Sequence, residues 1–490
     1  MHSRSDEAVE PQEADGRPDT PGIGHPAAVR DDEARSSWRY WPAVAIVVAA
    51  GILVGFGFLS QTEPRLPFGY FSNLPLYGIF APIFRGLSLT LIASGLLAAA
   101  VAWAVTSSRR IPSWLALVMT VLSGLATAMT VGLVRGDWHS LIRGVSTNPK
   151  SQYFTSDLHF VDRYGVRGFV SHYPSLLPQL HLYNARTHPP GVQVFLWVVW
   201  KISGPGHQFL MATILAVISL LIAVGAWSMA RSYGGDRAGR IAALLVVAAP
   251  GPLLLAYTNM DIIFAAAFSI AAALFVIGMQ RRSMLWTAAG GVVLGFATFL
   301  TYATTFVALA VAITIVLETR SVRQSARLLV AALVGGVAAL ALLRLVLGFD
   351  VLATYRAMAR SNGHDYLYWI AGHPGSVLIW AGLPIAALGL AGLVIRVPGA
   401  RRPLLPMILV AIMFVWGLLP PHITTLRQGE VERTWSFLYP MLAVAAGLVV
   451  DRWTRSKRVS HAWSLAIIPL LVLISIAQTG VIQALWDNLQ

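Results

Sequence analysis

Two stretches of this sequence collect residue types that can move protons and hold anions. The first is YFTSDLHFVDRYGVRGFVSHYPSLLPQLHLYNARTHPPG, residues 153–191. It carries Asp157, Asp162, Arg163, Arg167 and Arg186, with histidines at 159, 172, 181 and 188. An aspartate can accept the proton of an attacking hydroxyl as a general base. Asp157 and Asp162 are therefore the catalytic candidates. Their separation does not stack them on one helical face, so they are not read as a carboxylate pair. A salt bridge to Arg163 or Arg167 is the plain alternative for each. Arg186, Thr187 and His188 precede Pro189 and Pro190. Prolines lack an amide proton and suit a first helical turn, so these polar side chains would be held just above an apolar segment. A helix cap with interfacial anchors explains the same pattern.

The second stretch is LRQGEVERTWSFLYP, residues 426–440, with Arg427, Glu430, Glu432 and Arg433. An arginine beside a helix N-terminus is poorly placed for the macrodipole. A bound anion such as a phosphate would relieve that, and helix-terminal amides would help to cradle it. Pairing of Arg433 with its own glutamates is the alternative. Two further segments offer polar groups. YTNMDIIFAA opens a helix with Asp261, and YRAMARSNGHDYLYW supplies Arg356, Arg360, His364 and Asp365. No metal-binding spacing of the HExxH kind is present. The absence of cysteine excludes thiol chemistry, thiolate metal sites and disulfides.

The elements that position these groups follow from composition. The chain has 490 residues, 56% hydrophobic and only 12% charged, about half the charge of a soluble domain. Apolar runs long enough to cross roughly 30 Å of hydrocarbon recur from residue 41 onward. The chain reads as an all-α, polytopic transmembrane protein. Expected spans are 41–61, 87–106, 114–134, 189–203, 208–230, 238–256, 260–280, 284–301, 303–318, 327–347, 375–395, 403–420, 434–451 and 463–483. Residues 1–40 hold five arginines against nine acids and lack any apolar period, so they read as a disordered cytoplasmic tail rather than a cleavable signal. The transmembrane domain occupies 41–490.

The tail nets −4, so the rest of the chain carries +18 against the overall +14. Its arginines cluster in short connections, among them Arg231, Arg237, Arg240, Arg281, Arg282, Arg396, Arg401, Arg402, Arg452 and Arg455. That is the signature of cytoplasmic loops, and it differs from the continuous basic face of a nucleic-acid binder. Counting inward from the two ends collides by one crossing between 135 and 208. The short segment 189–206 is the one that should dip in or lie at the surface, which leaves about 13 crossings. A missed crossing elsewhere is the competing explanation. Residues 135–206 then form a long extracytoplasmic segment with juxtamembrane helices. Of the 13 acids beyond the tail, only Asp236, Glu318 and Asp451 fall on the cytoplasmic side. An outward polar site would explain that asymmetry.

These segments, in this order, resemble the polyprenyl-phosphate-dependent GT-C glycosyltransferases, the superfamily of protein O-mannosyltransferases and aminoarabinose transferases. TSDLHFVDRYG is similar to that family's acid-bearing outer loop, RTHPPG to its His-Pro-Pro element, and GEVERTWSFLYP to its late Arg-aromatic-Pro segment. The resemblance covers about residues 114–440. It implies a GT-C-like fold and transfer of a mannose- or arabinose-like sugar from a polyprenyl-phosphate donor to a hydroxyl on a lipid, glycan or protein acceptor. Asp157 would be the base with Asp162 in reserve. His188, Arg186, Asp261, Arg360, Arg427, Glu430 and Arg433 would line the substrate, with Arg433 near the donor phosphate. A divalent metal ion is left open as cofactor. Membrane lipids are the other partners, and nucleic acid is not one. The chain departs from the family in placing about three spans before the acid. Composition rich in Ala, Arg, Gly and Val points to a high-GC bacterium and its plasma membrane. The rival reading is a transporter or lipid flippase, which would place ionisable residues near the bilayer midplane.

Overall fold

The computed structural model describes residues 79–80, 82–83 and 89–487, apart from 109, 137, 147–156, 182, 320, 359–365, 420–430 and 457–458. The expected tail and the expected first span over 41–61 lie outside the described residues. Hydrocarbon offers no partner to a backbone N–H or C=O, so an apolar chain satisfies them internally as helix. The expected apolar runs accordingly appear as helices.

Helices α1 (Leu89–Ser107) and α2 (Ser113–Gly132) meet α9 (Asp236–Ala248) at one end of the bundle. There the Ser113 hydroxyl donates to Asp236 at 2.7 Å. Arg240 donates to the carbonyls of Val105 and Ile111 at 3.0 and 2.7 Å, and to Asp236 at 2.6 Å. Arg237 and Arg455 both hold Asp451, at 2.8 and 3.0 Å. Two of the three acids assigned to this basic end are thus partners of its arginines.

Between α2 and α9 lie α3 (His139–Ile142), α4 (Leu158–Leu176), α5 (Tyr183–Arg186), α6 (Gly191–Ser203), α7 (Gln208–Leu220) and α8 (Ile222–Gly234). Helices α7 and α8 form one apolar segment of 27 residues, which ends beside Asp236 at the basic end. Since α2 leaves the basic end and α8 returns to it, residues 133–207 begin and finish at the opposite end, here the site end. Helix α6 has 13 residues, about 20 Å of helix against roughly 30 Å of hydrocarbon. It begins at the site end and is shorter than the helices that suffice by length to cross.

The chain then rises through α10 (Pro250–Leu255) and turns. It descends in α11 (Asp261–Arg281), rises in α12 (Met284–Thr298), descends in α13 (Thr304–Glu318) and rises in α14 (Val322–Leu347). Helix α15 (Val351–Ala357) lies at the site end. Helices α16 (Tyr366–Ala381) and α17 (Leu383–Val394) meet at 109°. The break falls at Gly382, whose φ of +92° only glycine adopts readily, so the expected straight span 375–395 is bent. Helices α18 (Leu404–Gly417), α19 (Val431–Thr434), α20 (Leu438–Thr454) and α21 (His461–Leu485) complete the bundle. A short antiparallel pair joins Ile79–Phe80 to Trp486–Asp487. By length and apolarity, six described helices suffice to cross a membrane, or seven with the bent pair. The protein is multi-pass; the expected count of 13 also includes 41–61 and helices shorter than these.

Helices pack here without a hydrophobic drive between them, so close backbone approach through small residues carries the association. Helices α12 and α14 show it. A Cβ on Gly291 would stand 2.2 Å from the Ala332 carbonyl, and one on Gly335 would stand 2.1 Å from that of Ala288. The opposite face of α14 is exposed, with Leu333, Val334 and Val337 all open to the surroundings. Gly291→Leu or Gly335→Leu should force the helices apart and cost about 1–3 kcal/mol of overpacking, read as a lowered melting temperature in detergent. Val334→Leu on the exposed face should leave it unchanged.

Candidate active site

The long segment after α2 folds over the site end. Helix α4 is amphipathic: Leu158, Val161, Phe169, Val170, Tyr173 and Leu176 are buried, while Asp162, Arg163, Arg167 and His172 face out. Gly165, at φ +66° and ψ 161°, breaks the helix so that both halves lay their apolar side down. The amphipathic helix expected within residues 135–188 is thus present in α4.

Tyr173 ties the segment together. Its buried hydroxyl donates to the Ala185 carbonyl at 2.6 Å, has the His188 carbonyl within reach at 3.0 Å, and accepts from Gln193 at 3.2 Å. Burial pushes the Tyr173 phenol well above its usual pKa, against the opposing hydrogen bond from Gln193, and the nearby Asp157 adds to the rise. The group therefore remains a donor at any physiological pH. Arg186 forks onto the Leu180 carbonyl at 2.9 and 2.7 Å. It acts here as a brace on the chain rather than as a free cation.

Asp157 immediately precedes α4 and is wholly buried. One carboxylate oxygen accepts from the backbone N–H of His181 at 3.2 Å and faces its ring Nδ1 at 2.8 Å. The other oxygen has no hydrogen-bond partner among the described residues. Asp162 has a different setting. It is exposed, and it accepts from Lys201 Nζ at 2.8 Å and from the Trp197 indole at 2.9 Å. Lys201 also lies over the rings of Trp197 and Trp200. The hydrogen bond from Lys201, then that from Trp197, hold the Asp162 carboxyl below the ordinary value. Lys201, the one charge in the doubtful apolar segment, thus pins α6 against α4.

The His-Pro-Pro-Gly element acquires a physical reason. Pro190 caps α6 with φ −64°. The Gly191 N–H donates to the Phe299 carbonyl at 2.9 Å, and a Cβ at Gly191 would stand 2.1 Å from that oxygen. Only glycine lets α6 start against the α12–α13 turn. His188, just upstream, sets its ring 5.9 Å from that of Phe264, one turn into α11. Gly144 similarly packs on the backbone of Thr258, where a Cβ would come within 2.6 Å of the carbonyl. The segment therefore grips the start of α11 from two sides.

Asp261 opens α11, where the helix N-terminus favours an anion. Its backbone N–H donates to the Asn259 side chain at 2.7 Å, and its carbonyl accepts from the Ser436 hydroxyl at 3.0 Å. Its carboxylate pairs with Arg433 at 3.3 Å, the two side chains being 5% and 3% exposed. Asp261, from a helix distant in sequence, is thus one anion beside Arg433. Arg360, Arg427 and Glu430 lie outside the described residues.

At the site end Asp157 is joined to His181 and Asp261 to Arg433; Arg186 braces the chain beside the first pair, His188 lies against Phe264 of the helix that Asp261 opens, and Asp162 is set apart on the outward face of α4. His181, Tyr173 and Gln193 were not among the residues selected from the sequence. His181 was visible only as one of four histidines, because nothing in spacing links it to an acid 24 positions earlier. Among the described residues no group of three His, Asp or Glu side chains is placed to hold a metal ion, and no step is routed through one.

Residues 187–349, a third of the chain, match the family described as dolichyl-phosphate-mannose-protein mannosyltransferase. The match begins one residue before His188 and bears out the resemblance to GT-C glycosyltransferases over that region. No curated protein matches significantly. Among solved structures, the chain is similar to ArnT from Cupriavidus metallidurans bound to undecaprenyl phosphate, at 16% identity and a TM-score of 0.46, over 74% of this chain and 76% of that one. The apo form of ArnT aligns at 16% identity and a TM-score of 0.45, over 65% and 72%. An Archaeoglobus fulgidus oligosaccharyltransferase in complex with zinc and sulfate aligns at 15% and 0.41, over 74% and 52%.

Two outcomes follow from this geometry. Gly191→Ala should lose the Phe299 hydrogen bond and displace α6, costing at least about 2 kcal/mol, seen as a lower melting temperature. The depressed pKa of Asp162 means that its stabilising share is present above the unfolded value of about 3.9 and fades as pH falls through the folded one. Melting curves of Asp162→Asn against pH should lie below those of the unaltered protein near neutrality and converge with them in acid.

Proposed function

We propose that this protein is a membrane glycosyltransferase that moves a sugar from a polyprenyl-phosphate donor to a hydroxyl acceptor. The sugar is mannose- or arabinose-like, and the acceptor is a lipid, a glycan or a protein. The reaction takes place at the outer face of a bacterial plasma membrane, with the N-terminus in the cytoplasm; the gathering of arginines at the other end of the bundle supports that orientation. The observation that supports the proposal is that the segment carrying Asp157 and His188 is docked, through Tyr173 and Phe264, on the start of α11, where Asp261 pairs with Arg433. A lipid-linked sugar phosphate carries its leaving group at that depth. Attack by a hydroxyl needs a proton acceptor, for which the Asp157 centre is the candidate. Departure of the phosphate needs cations and oriented dipoles. Arg427 and Arg360 are the expected cations for that role, and Arg433, sealed against Asp261 at the start of α11, would act from beneath as a fixed charge. A divalent metal ion, if the reaction uses one, would be an additional source of positive charge.

A flippase would move the same lipid without chemistry. The test is incubation of purified protein in lipid nanodiscs with a panel of polyprenyl-phosphate sugars and hydroxyl acceptors, following released polyprenyl phosphate. Release is expected from one donor class, with Asp157→Asn lowering turnover about 10²–10⁴-fold while the variant stays folded. No release from any donor by well-folded protein, together with lipid translocation in liposomes, would overturn the transferase in favour of the flippase.

A further inference from the structure

We infer that the group which takes the acceptor proton is His181, and that Asp157 is the positioning carboxylate beneath it; this rests on the transferase reading above. Asp157 has 0% of its surface exposed, whereas the His181 side chain is 60% exposed. A carboxylate sealed in this way cannot touch a hydroxyl arriving from solvent or from the lipid interface. Its ring partner can. An ionised carboxylate only accepts hydrogen bonds. The 2.8 Å contact therefore fixes the proton on His181 Nδ1 and leaves the Nε2 lone pair free on the far side of the ring, the tautomer that a base requires.

The ring is also held in place. The carboxylate oxygen that orients it accepts from the His181 backbone N–H as well, at 3.2 Å. Leu180 is buried next to it, and the Leu180 carbonyl is forked by Arg186. Four residues on, the Ala185 carbonyl is tied to Tyr173. Among the described residues, the titratable and charged groups around the ring are Asp157, His159, whose ring centre is 6.1 Å away, and Arg186, engaged on the preceding carbonyl. A flexible exposed histidine would need none of this bracing.

In the reaction, the Nε2 lone pair of His181 takes the proton from the acceptor O–H. The acceptor oxygen forms its bond to the anomeric carbon, and the bond from that carbon to the phosphate oxygen breaks. The electron pair leaves with polyprenyl phosphate. The imidazolium is stabilised by Asp157, which stays ionised, and it later gives its proton to solvent. The sum is glycosylated acceptor, polyprenyl phosphate and one proton.

The experiment uses the full-length protein and the donor found above, with polyprenyl-phosphate release measured against pH. His181→Asn retains a donor for Asp157 but has no basic nitrogen. It should lower kcat about 10²–10⁴-fold with little change in the donor KM, and the acid limb of the pH profile should disappear. In Asp157→Asn that limb should persist but move to lower pH, because the imidazolium loses its stabilising carboxylate while the proton-taking atom remains. For His181→Ala, added imidazole should restore turnover, and it should not do so for Asp157→Ala. Should His181→Asn fail to fold, the imidazole rescue of His181→Ala decides. Wild-type turnover in a His181 variant, with loss confined to Asp157 variants, would overturn the inference and leave the transferase intact, with Asp157 itself as base. An unaltered protein that releases no polyprenyl phosphate from any donor would overturn both.

Discussion

A carboxylate without exposed surface has to be matched by donors that cannot drift away, and the Asp157 centre is built around that requirement. Desolvating an anion is costly unless hydrogen bonds replace its water. One segment answers it: the N–H and ring of His181 come to the carboxylate, Arg186 braces the carbonyl before His181, and Tyr173 ties down the chain beyond it. Tyr173 then reaches the His188 carbonyl and Gln193 on α6. The carboxylate, the His-Pro-Pro element and the first turn of α6 are thereby one connected structure.

A second buried charge obeys the same rule at the start of α11. Arg433 and Asp261 come from helices far apart in sequence and are both sealed from solvent. Removing one partner of such a pair leaves an uncompensated charge, which costs more than the pair contributes. The pair therefore specifies where α19 must sit over α11. His188 rests against Phe264 of the same first turn, so the two buried centres bear on one patch of the bundle. The membrane sets the outer limits: apolar helices with few charges, arginine clusters at one end and carboxylates at the other.

Much of the scaffold could be read from residue types alone. Apolar periodicity located the helices within a few residues. Proline and glycine spacing marked the start of α6, although the reason for Gly191 is the carbonyl of Phe299, more than 100 positions away. The site was less legible, because its decisive contacts are long-range. Arg433 looked like an anion cradle beside its own glutamates, and no local spacing pointed to its pairing with Asp261. Asp157 and Asp162 looked equivalent as acids, and only packing separates a sealed carboxylate from one exposed to Lys201. His181 had no local signal at all. The bend at Gly382 was equally invisible, since a single glycine in an apolar run is compatible with a straight helix.

The central claim is that the segment between α2 and α6 is docked on the start of α11, and the absence of native cysteine makes it directly measurable. His188→Cys and Phe264→Cys can be introduced together and treated, in membranes, with a short bifunctional thiol reagent. The 5.9 Å between the native rings requires efficient intramolecular cross-linking, detected as a loop-closed species by mass spectrometry. Two cysteines that each react with a monofunctional reagent but are never joined would contradict the docked arrangement, and with it the shared site.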